Sequence, residues 1–274
     1  MFARELPDGT VMMIEQEDHT DLSAQFAAHW GNAEFSKLKP YHSMLFGTIY
    51  HDSGHREMEA DLPIDVERGV PYAIGRTPAG VRRNDADLAN AQWVRTRDPY
   101  ASLIVAMHHA GLRKNRYDTV RKRANGGGSP TSGKTLGIDD AFADMDTWQR
   151  EVAEQLGLNE PGARKEFWHN YRMLQVFDLL SLYFCRDGIE HGQMQEVTLE
   201  QVPVRSGDDR VVDLHIVPTG STSLRITPYP LDVDPLPVCM MTRIMTPVLD
   251  EPELVTKEAY YKARRYPLAC EITS

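Results

Sequence analysis

After Gly188 the hydrophobic period of the chain changes, and that change limits the fold more than any other feature. Before it, apolar residues recur at helical spacing, ending in the long apolar stretch Gly162–Arg186. After it come short β-rich runs, VTLEQVPV, VVDLHIVP, TSLRITPY and LPVCMMTRIM, parted by Gly, Pro, Ser and Asp. Strands gathered after helices, rather than alternating with them, predict an α+β fold with an antiparallel sheet. The first 17 residues read as a hairpin that turns at Asp8-Gly9 and can join that sheet. The expected organisation is an N-terminal hairpin at 1–17, a helical body at 18–190 and a β-rich region at 191–274 packed on it.

Within the helical body, DHTDLSAQFAAHWG begins at Asp18 and closes at Gly31, with His19, Leu22, Phe26 and Trp30 on one face. A second helix is expected from about Tyr41 to Gly54. Pro63, Gly69, Pro71, Gly75, Pro78 and Gly80 mark a long loop. A third helix covers Tyr100 to about Lys114, with room to continue to Arg123, and further helices span Asp146–Leu156 and Gly162–Arg186.

The composition removes several function classes. A net charge of −10 argues against binding duplex nucleic acid or an anionic membrane surface. There is no apolar run long enough to span a bilayer and no basic-then-apolar leader, so a cytoplasmic location is expected. The 3 cysteines are widely spaced and odd in number, which fits a reducing compartment.

Gly128–Thr135 fits the phosphate-loop pattern G-x-x-x-x-G-K-[ST]. Its context does not. RYDTVRKRAN before it is too polar for a central strand, and LGIDDAF after it holds a glycine and two acids before any apolar period. The stretch reads as a Gly/Ser-rich surface loop from which Lys134 could touch an anionic substrate. In the basic run from Arg113 to Arg123, Arg113 is the other candidate for such a contact, although cations at a helix C-terminus also suit the helix dipole.

Asp178, in MLQVFDLLSLYFC, is the strongest anomaly, because an isolated buried carboxylate needs a cation or hydrogen-bond donors. His51-Asp52 in YHDSGH, at the end of an apolar helix, makes the same demand. Imidazole and carboxylate together suit iron, manganese or zinc. His19 lies on the apolar face of its helix, and in VAMHHAGL the row Ile104, His108, Gly111 favours His108 over His109 as the inward histidine. His169 lies about half a turn out of phase with Asp178.

A His, a His-Asp doublet and a distant Asp, each on a helix, resemble the HD-domain superfamily of metal-dependent hydrolases, here at His19, His51, Asp52 and Asp178. More narrowly, DHTDLSAQFAAHWGN, YHDSGH, SLIVAMHH and LQVFDLLSLYFC resemble a bacterial branch whose HD-like helical core carries a β-rich C-terminal part. The resemblance implies one divalent metal ion (Fe, Mn or Zn) per chain, or two with Asp52 bridging. His108 would be a further ligand, and Asp52, His55 and His108 would carry the chemistry. Many relatives have a Lys where this chain has His55. The implied activity is hydrolysis of a phosphate ester in a small anionic substrate. The alternatives are a diiron oxygenase that cleaves a C–C or C–P bond, and a metal-stabilised binding module without catalysis. The β-rich region would serve any of the three as a lid or as a homo-oligomer interface.

Overall fold

The structure is a computed structural model that describes residues 1–74, 76–78, 86–114, 120–124, 138–143, 145–187, 189–190 and 193–274. The chain opens with β1 (Phe2–Glu5) and β2 (Val11–Ile14), joined by a turn in which Asp8 accepts from the Thr10 amide and Gly9 takes φ +82°. Then come α1 (Gln16–His29), α2 (Tyr41–Tyr50), a 3₁₀ turn at Ser53–His55, α3 (Arg56–Ala60), the small pair β3 (Ile64–Asp65) and β4 (Val70–Pro71), α4 (Ala86–Arg95) and α5 (Pro99–Lys114). They are followed by β5 (Arg121–Ala124), α6 (Ile138–Ala143), α7 (Thr147–Gln155) and α8 (Pro161–Leu182), which runs into a π turn at Tyr183–Asp187. The chain finishes with β6 (Ile189–Glu190), β7 (Gln193–Met194), β8 (Val197–Pro203), β9 (Val211–Pro218), β10 (Ser223–Thr227), β11 (Leu236–Met245), α9 (Glu253–Lys262) and β12 (Arg265–Thr273).

The class is α+β. The main sheet has the order β1-β2-β11-β12-β10-β9-β8-β5. The N-terminal hairpin joins it through β2, which pairs antiparallel with β11 from Arg243 opposite Met13 to Met245 opposite Val11. The helices and the sheet share one hydrophobic core. Leu22, Phe26 and Trp30 of α1, and Phe167, Tyr171, Leu174 and Phe177 of α8, meet Leu199, Ile216, Ile226 and Val238 of the strands in it. Burying a side chain of this size is worth roughly 1.5–3 kcal/mol, so the two layers stabilise each other.

Three expectations are corrected. The third helix runs to Lys114 as expected, but it has no continuation to Arg123, because Arg121–Ala124 is a strand on the sheet edge, paired with β8 from Arg121 opposite Glu200 to Ala124 opposite Val197. An edge strand keeps one side open to water, which is why so polar a run can pair at all. The sheet is not wholly antiparallel, because β12 returns after α9 and runs parallel to β10 while pairing antiparallel with β11. Four helices, α3, α4, α6 and α9, were not visible in the pattern. α4 buries Ala86, Asn90, Ala91 and Val94, and a face of such small and polar residues leaves little apolar period. The phosphate-loop match with Lys134 lies outside the described residues, as does the side chain of Arg113.

Candidate metal centre

Four helical segments carry the acids and histidines to one place. His19 sits in the first turn of α1 and is fully buried. His51 ends α2 with helical backbone, and Asp52 leaves the helix at φ −108°, ψ 14°, a sparsely populated conformation common in turns. His108 and His109 lie in the second half of α5, and Asp178 lies near the end of α8.

Asp178 is the hub. Its Oδ1 is 3.1 Å from His19 Nε2 and 3.6 Å from His51 Nε2, and its Oδ2 is 3.6 Å from His108 Nε2. Asp52 Oδ2 stands 3.8 Å from His19 Nε2 and 4.0 Å from His51 Nε2. Single ligand atoms of His19, His51 and Asp178 all fall within 4.8 Å of one another, so this buried trio could hold a metal ion. The Nε2 atoms of His19 and His51 are sealed from solvent and make no hydrogen bond of acceptable geometry, despite the nearby carboxylates. Buried polar atoms are nearly always paired, so two bare nitrogens aimed at two acids form an unusual cluster.

The surroundings fix how these groups face. His51 Nδ1 lies 2.7 Å from the Thr48 carbonyl oxygen, which can only accept, so Nδ1 carries a hydrogen and Nε2 is the nitrogen that faces the two carboxylates. Gln16 donates to Asp52 Oδ2 at 2.7 Å. Ser181 Oγ lies 2.6 Å from His19 Nδ1. The end of α2 is closed by α4 and α5: Asn90 donates to the carbonyls of Tyr50 and His51, each at 2.9 Å, and His109 Nε2 meets the His51 carbonyl at 2.5 Å. Gly54 lets the turn approach α4 closely, because a Cβ there would lie 2.4 Å from the Ala86 carbonyl oxygen.

The charges respond to this crowding. For His51, burial works against the cation, but Asp52 and Asp178 outweigh it and push its pKa up to about 9. Burial raises the pKa of both acids, yet the neighbouring imidazoles hold Asp52 and Asp178 well below the ordinary carboxylate range. His108 goes the other way: burial, only partly offset by Asp178, brings it down to about 3, so it is a neutral ring. Burial also lowers His55, against the pull of Asp52.

The structure thus brings together His19, His51, Asp52, His108 and Asp178, and leaves His55 half-buried beside Asp52. Only one of the adjacent histidines was expected to face the centre. Both do: His109 Nε2 is 3.9 Å from Asp52 Oδ1, although the same nitrogen bonds the His51 carbonyl. Asp87, 3.6 Å from His109 Nδ1, went unnoticed in the sequence together with its helix. Gln16 and Ser181 look ordinary in the sequence, and only the fold puts them against Asp52 and His19. A cleft of about 260 Å³ beside Arg56, Asn90 and Trp93 lies next to the turn and is lined by none of the metal-facing side chains.

A family model described as a protein of unknown function (DUF3891) matches residues 1–246, a span that contains every member of the cluster. The chain belongs to the DUF3891 family. No curated protein matches this DUF3891 chain, and no solved structure does. Among the described residues, no helix is long and apolar enough to cross a membrane.

Proposed function

We propose that this chain is a metal-dependent hydrolase of the HD type, acting on a phosphate ester in a small anionic substrate. One observation carries the reading: the buried Nε2 atoms of His19 and His51 converge on Asp52 and Asp178 in a sealed pocket, while His51 Nδ1 is committed to the Thr48 carbonyl. Two buried carboxylates need a cation, and a metal ion would take the place of the proton that His51 holds in the metal-free chain. His19, His51, Asp52 and Asp178 are the ligands in this reading, and iron, manganese and zinc all suit the donor set.

A divalent ion held by these residues would supply Lewis-acid chemistry, making a water more acidic and a phosphoryl oxygen more electrophilic. The chain's own residues would do the rest. Asp52, slightly exposed, or His55 beside it would accept the water proton. His108, neutral and facing Asp178, would orient the reacting group. Arg113 and Lys134 are proposed to contact the substrate anion.

A diiron oxygenase is the second reading, and it has an observation of its own. Asp178 offers its other oxygen, Oδ2, to a further histidine, His108, at 3.6 Å. That could serve a second ion. The test is a panel of phosphomonoesters and diesters assayed with the metal-free chain reloaded with Mn²⁺, Zn²⁺ or Fe²⁺. Metal-dependent phosphate release that disappears in Asp178→Ala supports the hydrolase. No release with any metal, together with oxygen uptake by the iron-loaded chain, would transfer the assignment to the oxygenase.

A further inference from the structure

We propose that Gln16 is a positioning residue with two contacts in the centre: its side-chain amide nitrogen holds Asp52 Oδ2, and its Oε1 accepts a hydrogen bond from a water that arrives with the metal ion. This rests on the metal-centre reading above. Gln16 opens α1 and is almost wholly buried, although glutamine is a residue that mostly stays in water. Its Nε2 donates to Asp52 Oδ2 at 2.7 Å. Its Oε1 is sealed from solvent and has no hydrogen-bond partner. A bare buried acceptor costs about 1–3 kcal/mol, so an apolar side chain of the same length would serve the core better, and packing alone does not account for the amide.

The amide has one good orientation. Asp52 has His19, His51 and His109 within 4.0 Å, and the oxygens of a carboxylate in that company only accept. Turned over, the amide would set Oε1 2.7 Å from Asp52 Oδ2, two acceptors with no hydrogen between them. The two ends of an amide are about 2.3 Å apart, so Oε1 lies within about 5 Å of Asp52 Oδ2, a gap that one water spans. Helix geometry holds the residue there. Gln16 lies three residues before His19, so both side chains leave the same face of α1, and His19 Nε2 also approaches Asp52 Oδ2, at 3.8 Å. The backbone is fixed from α3: the Gln16 N–H donates to the Glu59 carboxylate at 3.0 and 3.2 Å, an acceptor that the side chain of Glu15 does not supply at this helix start. The Asp52 carboxylate is thereby held from α1 as well as by its own turn.

The test uses the full chain and Gln16→Met, which keeps the length of the side chain and removes both contacts. Zn²⁺ affinity should fall about 10–100-fold in the variant. Co²⁺ bound to the variant should absorb visible light more strongly than in the wild type, because an Asp52 carboxylate no longer held can swing away and lower the coordination number. A crystal structure of the Zn²⁺-loaded wild type should show a water on the ion within about 3.2 Å of Gln16 Oε1. Equal Zn²⁺ affinity and equal Co²⁺ spectra in the two chains would overturn the proposal, whatever happens to the melting temperature. A Zn²⁺-loaded wild type in which no water meets Oε1 would overturn it too, even if Gln16→Met fails to fold. Those two outcomes leave the metal-centre reading standing. A wild type that takes up neither Zn²⁺ nor Co²⁺ would instead sink that reading, and this proposal with it.

Discussion

His51 and His169 are both buried histidines, and their surroundings drive them in opposite directions. His51 faces two carboxylates and holds a proton up to about pH 9 in the metal-free chain. At pH 7 a metal ion must therefore displace that proton. Uptake should release about one proton per ion from His51 at pH 7 and close to none above pH 9. Calorimetric titrations in buffers of different ionisation enthalpy measure this, and a pH-independent affinity between 7 and 9 would contradict it. His169 has no carboxylate partner of that kind. Burial first, and Arg172 second, bring its pKa down to about 4, and neither ring nitrogen makes a hydrogen bond. A folded-state pKa below the unfolded value of about 6.5 means that the unfolded chain binds the proton more readily. Stability from this group is thus present above pH 6.5 and is lost as pH falls toward 4. His169→Leu should reduce the loss of stability between those limits by about 3 kcal/mol, read from denaturant unfolding of both proteins at each pH.

At the scale of elements, the turn after α2 matters most, because it aims Asp52 and rests on α4 through Gly54. Gly54→Ala should push the turn off the Ala86 carbonyl. The expected cost is about 1–3 kcal/mol, the usual range for overpacking, with weaker metal uptake as Asp52 moves. Unchanged melting temperature and metal affinity would show that the close approach has no such role. The sequence revealed the helices that bury large apolar residues, since Leu22, Phe26, Phe167, Tyr171 and Leu174 repeat at helical spacing. It did not reveal α4, whose buried face is Ala, Asn and Val, and it misread Arg121–Ala124, whose charges belong to a sheet edge. Asp178 was legible because a carboxylate among core residues breaks the pattern. Ser181 and Gln16 were not, because their roles exist only through contacts with residues far away in the chain.

For the whole molecule, the helical layer that carries the ligands is built on the sheet. β12 is the strand that holds the sheet together, since it lies between β11 and β10, and α9 leads into it. Arg265 at its start also pairs with Asp18, one residue before His19. A chain ended at residue 250 would lose β12 and split the sheet into two parts. It should show no cooperative thermal unfolding, and a sharp transition near the full-length temperature would contradict this. The charge of the molecule agrees with the proposed chemistry in a limited sense: at −10, the chain gains nothing from general attraction to an anionic substrate. Local cations, the proposed metal first among them, would have to supply it.

The measurement that tests the account most directly is elemental analysis of the full chain, purified without a metal-affinity column and then exposed to Fe²⁺, Mn²⁺ and Zn²⁺, beside Asp178→Ala treated identically. The account predicts one or two ions per chain in the wild type and none retained in the variant, because Asp178 is the oxygen source common to His19, His51 and His108. Full occupancy in Asp178→Ala, or none in the folded wild type after exposure to all three metals, would contradict it.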